Sequence, residues 1–236
     1  AIVVPTGGAG LLAGVAIAAK AQRPDIKIIA VEAAAAASFT ASLAAGEPVN
    51  APVRPTLADG LAVGRVGDRS FALAAPRVDR VLTVDEQALS LAVLRLLELE
   101  KTSCEGAGAA ALAALMGEAG QELKGRKVVL LLCGGNIDPT VLHRVIDHGL
   151  AIDGRLWRFT ATVSDRPGGM AKLTQVIADA GASVLEINHD RAFSGPEVFS
   201  TTVEVTVETA DQDHIQALHK QLREADFSVI SATGCR

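Results

Sequence analysis

Gly7, Gly8, Ala9 and Gly10 follow an apolar run, Ile2 to Pro5, and precede Leu11, Leu12 and an alanine-rich stretch ending at Lys20. Strand, glycine turn and helix in that order make an anion cradle. Glycine lets the backbone approach a ligand, and the first N–H groups of a helix are unpaired and lie at the positive end of its dipole. Gly8, Gly10 and Gly14 are spaced G-x-G-x-x-x-G. Glu32 stands about 20 residues on, where a dinucleotide-binding unit places an acid for the ribose hydroxyls. Three readings stay open on these residues alone: a dinucleotide, another phosphate ester, or a strand-to-helix turn with no ligand.

A second turn carries similar chemistry. Cys133, Gly134, Gly135 and Asn136 end the apolar run "VVLLL". If that run is a buried parallel strand, its carboxyl end is the edge where open α/β sheets bind ligands, and both glycine turns share one side of the sheet. A cysteine there is either a small core residue or a weak hydrogen-bonding partner for a ring nitrogen.

The elements that must position these turns alternate from residue 1 to about 150. "IKIIAVE" (26–32) is near-continuously apolar, as a buried parallel strand should be. A loop-rich passage with Pro48, Pro52, Pro55, Gly60, Gly64 and Gly67 follows. In "VLTVDEQALSLAVLRLLELEK" a helical rhythm runs through Leu89, Val93, Leu96 and Leu97, and Thr83 and Glu86 have capping-box spacing. "GAGAAALAALMG" predicts a tightly packed small-residue helix, and Asp138 with Pro139 predicts an N-cap and first helical position. Such alternation specifies an α/β layer around a parallel sheet.

After Gly149 the rhythm changes. "RLWRFTATVS" alternates, with Trp157, Phe159, Ala161 and Val163 on one face. Helix, strand, strand, helix and strand signals follow, a βαββαβ order of the ferredoxin-like kind. The domain boundary is therefore placed at 151/152.

Composition narrows the classes. The chain has 236 residues, 49% hydrophobic, with a net charge of −5. That composition predicts a soluble protein with two modest domains or one large one. No basic cluster and 3% aromatics argue against nucleic acid. The alanine-rich stretches are interrupted before they reach spanning length, so no membrane is expected. Cys104, Cys133 and Cys235 form no metal spacing, and a reducing cytoplasm is the expected setting. No secretory signal is visible at the N-terminus. The first residue is Ala1, inside an expected core strand; processing or truncation is the simplest explanation.

"PTGGAGLLAGVAIAAK", "PTLADGLAV", "CEGAGAAALAAL" and "VVLLLCGGNID", in this order, resemble the second half of the threonine and serine dehydratase family. These are pyridoxal-phosphate (PLP) dependent enzymes of the tryptophan-synthase β type (fold type II), which also include serine racemase. Residues 152–236, through "SDRPGGMAKLTQVIADAGASVLEINHDR", resemble an ACT domain, an amino-acid-binding regulatory module. The resemblance covers essentially the whole chain. It implies part of a three-layer parallel-sheet catalytic domain over 1–151, followed by a βαββαβ regulatory domain.

The resemblance also implies site residues. Gly7, Gly8, Ala9, Gly10 and Leu11 match the phosphate loop of the cofactor, with Ala9 where the family usually has glycine. That methyl is tolerable if φ is negative and harmful if it is not. Cys133 matches the partner of the pyridine nitrogen, with Gly134 beside it, and Glu105 matches an acid close to the ring. A thiol in place of an aspartate leaves that nitrogen unprotonated, which suits β-elimination over transamination. Glu32 and the Ala36 carbonyl match a cation site of some relatives, but Ser38 replaces the second acid, so no metal is expected. Asp165, Pro167, Gly168 and Gly169, with Asn188, His189 and Asp190, match an amino-acid effector site at a dimer interface. The family's Schiff-base lysine motif, S-F-K-x-R-G, occurs nowhere in residues 1–236. The implied activity is conversion of L-threonine or L-serine to a 2-oxo acid and ammonia by a homo-oligomer, with this chain alone inactive. The alternatives are serine racemase or another β-replacing enzyme of the fold, and a non-catalytic amino-acid-binding fragment.

Overall fold

The structure, a computed structural model, describes residues 1–189 and 199–231. The chain divides into two compact units, Ala1–Ile146 and Asp147–Arg236. Asp190 and Cys235 lie outside the described residues.

In the first unit, β1 (Ile2–Pro5), β2 (Ile28–Ala33), β3 (Arg80–Val84) and β4 (Val129–Leu130) form a parallel sheet in the order β3-β2-β1-β4. Their side chains alternate between two cores. Val3, Ile29, Val31 and Ala33 face α4 (Glu86–Leu99) and α5 (Gly106–Met116). Val4, Ile28 and Ala30 pack with α1 (Gly10–Gln22), α2 (Ser38–Ala45) and α3 (Asp68–Ala74) through Leu12, Ala16, Phe39 and Phe71. Helices on both faces of a parallel sheet make three layers, which explains why β2 is apolar at almost every position. Eight residues of α5 are buried, from Gly106 to Ala114, as its lack of large side chains predicts. The short α6 (Glu118–Glu122) follows it.

Two local expectations are corrected. The run ending at Cys133 is not a long buried strand: β4 pairs over two residues at the sheet edge, and Val129 is 55% exposed. An edge strand has one hydrogen-bonded neighbour, so its other flank lacks the cover that β1 and β2 receive. The Thr83–Glu86 capping box does not form either. Thr83 belongs to β3, and the α4 N-cap is Asp85, whose side chain accepts from Ala88 N–H at 2.8 Å. The expected start of α7 (Pro139–Ile152) is found: Asp138 accepts from Thr140 N–H at 2.7 Å.

In the second unit, β5 (Leu156–Ser164), α8 (Gly169–Asp179), β6 (Ser183–His189), β7 (Ser200–Glu208), α9 (Gln212–Glu224) and β8 (Ser228–Ser231) follow the expected βαββαβ order. The sheet is antiparallel, ordered β6-β7-β5-β8. Trp157, Phe159, Ala161 and Val163 are all buried on one face against Leu173, Ile177, Ile215, Leu218 and Leu222 of the two helices. The alternating pattern of β5 thus fixes which face the helices cover.

Candidate active site

β1 delivers the chain to the first glycine turn. Thr6 extends the ladder, donating its N–H to Val31 O at 2.7 Å, and the next three residues turn into α1. Ala9 is the N-cap with φ 62° and ψ 9°, so its methyl sits in the left-handed region, the unfavourable case for a non-glycine residue. Among the described residues no side chain caps this 13-residue helix. Its first N–H groups and the positive end of its dipole are therefore offered to a ligand.

The glycines of the turn have separate reasons. A Cβ on Gly7 would lie 3.1 Å from Leu61 Cα and from Val63 Cγ2, so protein packing crowds it. On Gly8 and Gly10 a Cβ would meet nothing nearer than 3.9 Å and 4.0 Å. Neither protein contact nor a positive φ demands glycine there. Open space over bare backbone beside an uncapped helix N-terminus is a cradle for an anionic group, and it fits a phosphate.

One cavity of about 260 Å³ is lined by Gly7, Gly8, Ala9, Gly10 and Leu11, together with Glu105 and Cys133. The parallel pairing of β1 with β4 explains this: both turns leave the same end of the sheet. Cys133 is exposed, not core. Gly134 is the hinge of the second turn, with φ 113°. Its carbonyl accepts from Glu105 N–H at 3.3 Å and from the Cys104 thiol at 3.2 Å. A Cβ on Gly134 would collide with the Glu105 carboxylate, so this glycine leaves room for that acid. Burial, then the neighbouring Glu105 and Cys133, pushes the Cys104 thiol up. Pro5, Leu12, Gly60, Leu61 and Ala107 also line the cavity and were not singled out as site residues. Gly60 and Leu61 belong to "PTLADGLAV", so the signal was in the motif.

The Glu32 carboxylate is engaged by protein donors. Glu32 is fully buried, and its carboxylate accepts from Phe39 N–H (2.7 Å), Thr40 N–H (2.8 Å) and the Thr40 hydroxyl (2.6 Å), holding the start of α2. Burial pushes its pKa up, against the lowering effect of those hydrogen bonds. With both oxygens engaged and Ser38 offering only a buried hydroxyl, the residues do not fit a hard cation.

In the second unit, Asp165, Arg166, Pro167 and Gly168 form the β5–α8 turn. Gly168 is the N-cap at φ 97°, and a Cβ on Gly169 would collide with Ser164 O. Asn188 and His189 end β6 opposite Glu204 and Val203 of β7. They lie at the same end of the sheet as the turn, with β7 between, a lateral separation of roughly 10 Å.

Comparison with known proteins agrees with this geometry. Residues 1–134 match the family described as "Pyridoxal-phosphate dependent enzyme", and residues 159–232 match the ACT domain. The chain is 37% identical over 97% of its length to the L-threonine ammonia-lyase of Thermotoga maritima, and 40% identical over the same share to that of Geobacter sulfurreducens. It spans 56% of each, about half the length of these relatives. Among solved structures, the threonine deaminase of T.th. is similar at TM-score 0.54 and 40% identity, covering 58% of this chain and 50% of that one. Maize serine racemase is similar at 0.56 and 36%, covering 61% and 45%. A glycine cradle on an uncapped helix, sharing its cavity with the second turn, occupies the matched segment, and the chain belongs to the pyridoxal-phosphate dependent enzyme family.

Proposed function

We propose that this chain is the cofactor-phosphate half and the regulatory domain of a threonine/serine ammonia-lyase that converts L-threonine to 2-oxobutanoate and ammonia. The observation that carries the reading is the single cavity uniting the uncapped α1 N-terminus, the open space over Gly8 and Gly10, Glu105 and Cys133. Gly7, Gly8, Ala9, Gly10 and Leu11 would hold the phosphate of pyridoxal phosphate. Cys133, followed by Gly134, would hold the pyridine nitrogen, and Glu105 would stand near the ring. When bound, the cofactor supplies the electron sink that acidifies the substrate α-proton. The chain's own contribution is to fix the phosphate by dipole and N–H groups and to keep the ring nitrogen beside a thiol instead of an acid. The amine that carries the cofactor would come from outside residues 1–236, because no lysine here stands in a matching motif.

The second unit would bind an amino-acid effector through Asp165, Gly168, Gly169, Asn188 and His189. The ACT match and the turn geometry support this. A homo-oligomer in the cytoplasm belongs to the same reading, and sedimentation of the complete enzyme checks the assembly. The test of function is L-threonine added to the complete, pyridoxal-phosphate-loaded enzyme. Formation of 2-oxobutanoate supports the reading, and no product overturns it. Similarity to maize serine racemase favours a second reading, which D-serine formed from L-serine would establish.

A further inference from the structure

The Glu86 carboxylate, which caps no helix, is engaged elsewhere. Thr56 Oγ1 donates to Glu86 Oε1 at 2.5 Å, and Leu57 N–H donates to Oε2 at 2.7 Å. The Thr56 hydroxyl in turn accepts from Ala58 N–H at 3.2 Å, and Leu61 N–H donates to Ala58 O at 2.9 Å, closing a single 3-10 turn over Asp59–Leu61. A half-buried acid in the first turn of α4 thus holds the start of a short chain of hydrogen bonds whose other end, Leu61, lines the cavity.

That segment has no slack. The Leu57 carbonyl sits where a Cβ on Gly106 would be. The Leu61 Cα and carbonyl lie 3.1 and 3.2 Å from where a Cβ on Gly7 would be, and Gly60 is packed against Ala107 with Glu105 Oε1 next to it. Gly60 and Leu61 line the cavity with the glycine turn. The loop therefore touches the phosphate cradle, the start of α5 and the cavity acid at once. Backbone pressed on Gly7 from one side and Gly106 from the other takes its position from whatever fixes Thr56 and Leu57.

We infer that Glu86 is a positioning residue for the cofactor cavity: through Thr56 and Leu57 it sets the 56–61 loop against the Gly7 turn and so fixes the width of the phosphate cradle. The inference rests on the cofactor reading proposed above. Glu86 touches neither cavity nor ligand, and its effect passes entirely through the loop.

The experiment uses the complete enzyme with Glu86→Ala, Glu86→Gln, Thr56→Val and the Thr56→Val/Glu86→Ala double variant. Three measurements are made: the dissociation constants of pyridoxal phosphate and of inorganic phosphate, amide hydrogen exchange at Leu57 and Ala58, and the unfolding midpoint. Glu86→Ala is expected to speed exchange at Leu57 and Ala58 and to weaken both probes about tenfold, as loss of hydrogen bonds to a charged group implies. Glu86→Gln, which keeps one acceptor oxygen, should recover part of the affinity. The double variant should lose less affinity than the sum of the two single losses, because each single change already removes the Thr56–Glu86 contact. Wild type binding the probes while Glu86→Ala binds them equally well overturns the inference and leaves the cofactor reading standing. Weakened binding with unchanged exchange at Leu57 and Ala58 also overturns it. A complete wild-type enzyme that binds neither probe overturns the cofactor reading and the inference with it.

Discussion

Replacing Gly8 by alanine separates a glycine kept for a ligand from one kept for the fold. The built Cβ meets only Val63 Cγ1, at 3.9 Å, an ordinary van der Waals distance, and Gly8 is not in the left-handed region. The methyl therefore costs the protein no strain. By restricting the unfolded chain it should raise stability by about 0.4–1 kcal/mol. Binding should move the other way. A phosphate oxygen that accepts from this backbone must come within hydrogen-bonding distance, and a methyl on the adjacent Cα occupies that approach. Loss of one charge-assisted hydrogen bond costs about 1.5–3 kcal/mol, roughly ten- to 150-fold in dissociation constant. Gly7→Ala is the contrast: its Cβ would press on Leu61 and Val63 at 3.1 Å, so it should destabilise by about 1–3 kcal/mol. Urea unfolding reads stability, and calorimetric titration of inorganic phosphate and pyridoxal phosphate reads binding. Gly8→Ala losing more than about 1 kcal/mol of stability, or binding both probes like wild type, would refute the reasoning.

Four further outcomes follow from the same structure. Ala9→Gly should change stability by less than about 1 kcal/mol, because relief of the left-handed strain offsets the lost methyl and added chain entropy, whereas Ala13→Gly inside α1 should cost about 1.5–2 kcal/mol; equal losses in urea unfolding would contradict this. Gly134→Ala combines a φ of 113° with a collision against Glu105, so pyridoxal phosphate affinity should fall at least about tenfold as the acid is displaced, and unchanged affinity would show that Glu105 does not matter. Burial raises the Glu32 pKa above its ordinary 4.5, so the native state holds that proton more tightly than the unfolded chain, and this contribution to stability declines as pH rises above 4.5. The stability advantage of wild type over Glu32→Gln should therefore shrink from pH 4.5 towards neutrality, and urea midpoints in which it grows would reverse the assignment. Gly169→Ala drives a Cβ into Ser164 O and should destabilise the second unit by about 3 kcal/mol or more, visible as a lowered unfolding transition reported by Trp157 fluorescence.

The sequence by itself determined the strand, turn and helix at the start of the chain, the second strand, the helices at Glu86–Leu99 and Gly106–Met116, and the βαββαβ order of the second unit; α2, α3, β3 and α6 were not legible in it. Periodicity is a local property: "IKIIAVE" must be a doubly buried strand and "RLWRFTATVS" a half-buried one, and both are. It also singled out Gly7, Gly8, Ala9, Gly10, Leu11, Glu105 and Cys133, which line one cavity. Their convergence depends on β1 and β4 being parallel neighbours far apart in sequence, with Ile2 beside Val129 and Val3 beside Leu130. No local pattern encodes that pairing.

Tertiary structure alone decided the roles of the acids. Glu32 and Glu86 stand in motifs that read as a ribose ligand and a capping box. Each instead accepts backbone and hydroxyl donors, Glu32 from the start of α2 7 or 8 residues away and Glu86 from the loop 29 or 30 residues away. A carboxylate takes the nearest unsatisfied donors, and which donors are nearest is fixed by how loops cross the sheet edge, not by the spacing of the acid's own neighbours. The same holds for the glycines: Gly7, Gly8 and Gly134 are one letter in sequence. Only the folded chain shows that the first is held by Leu61, the second by no protein atom, and the third by a positive φ facing Glu105.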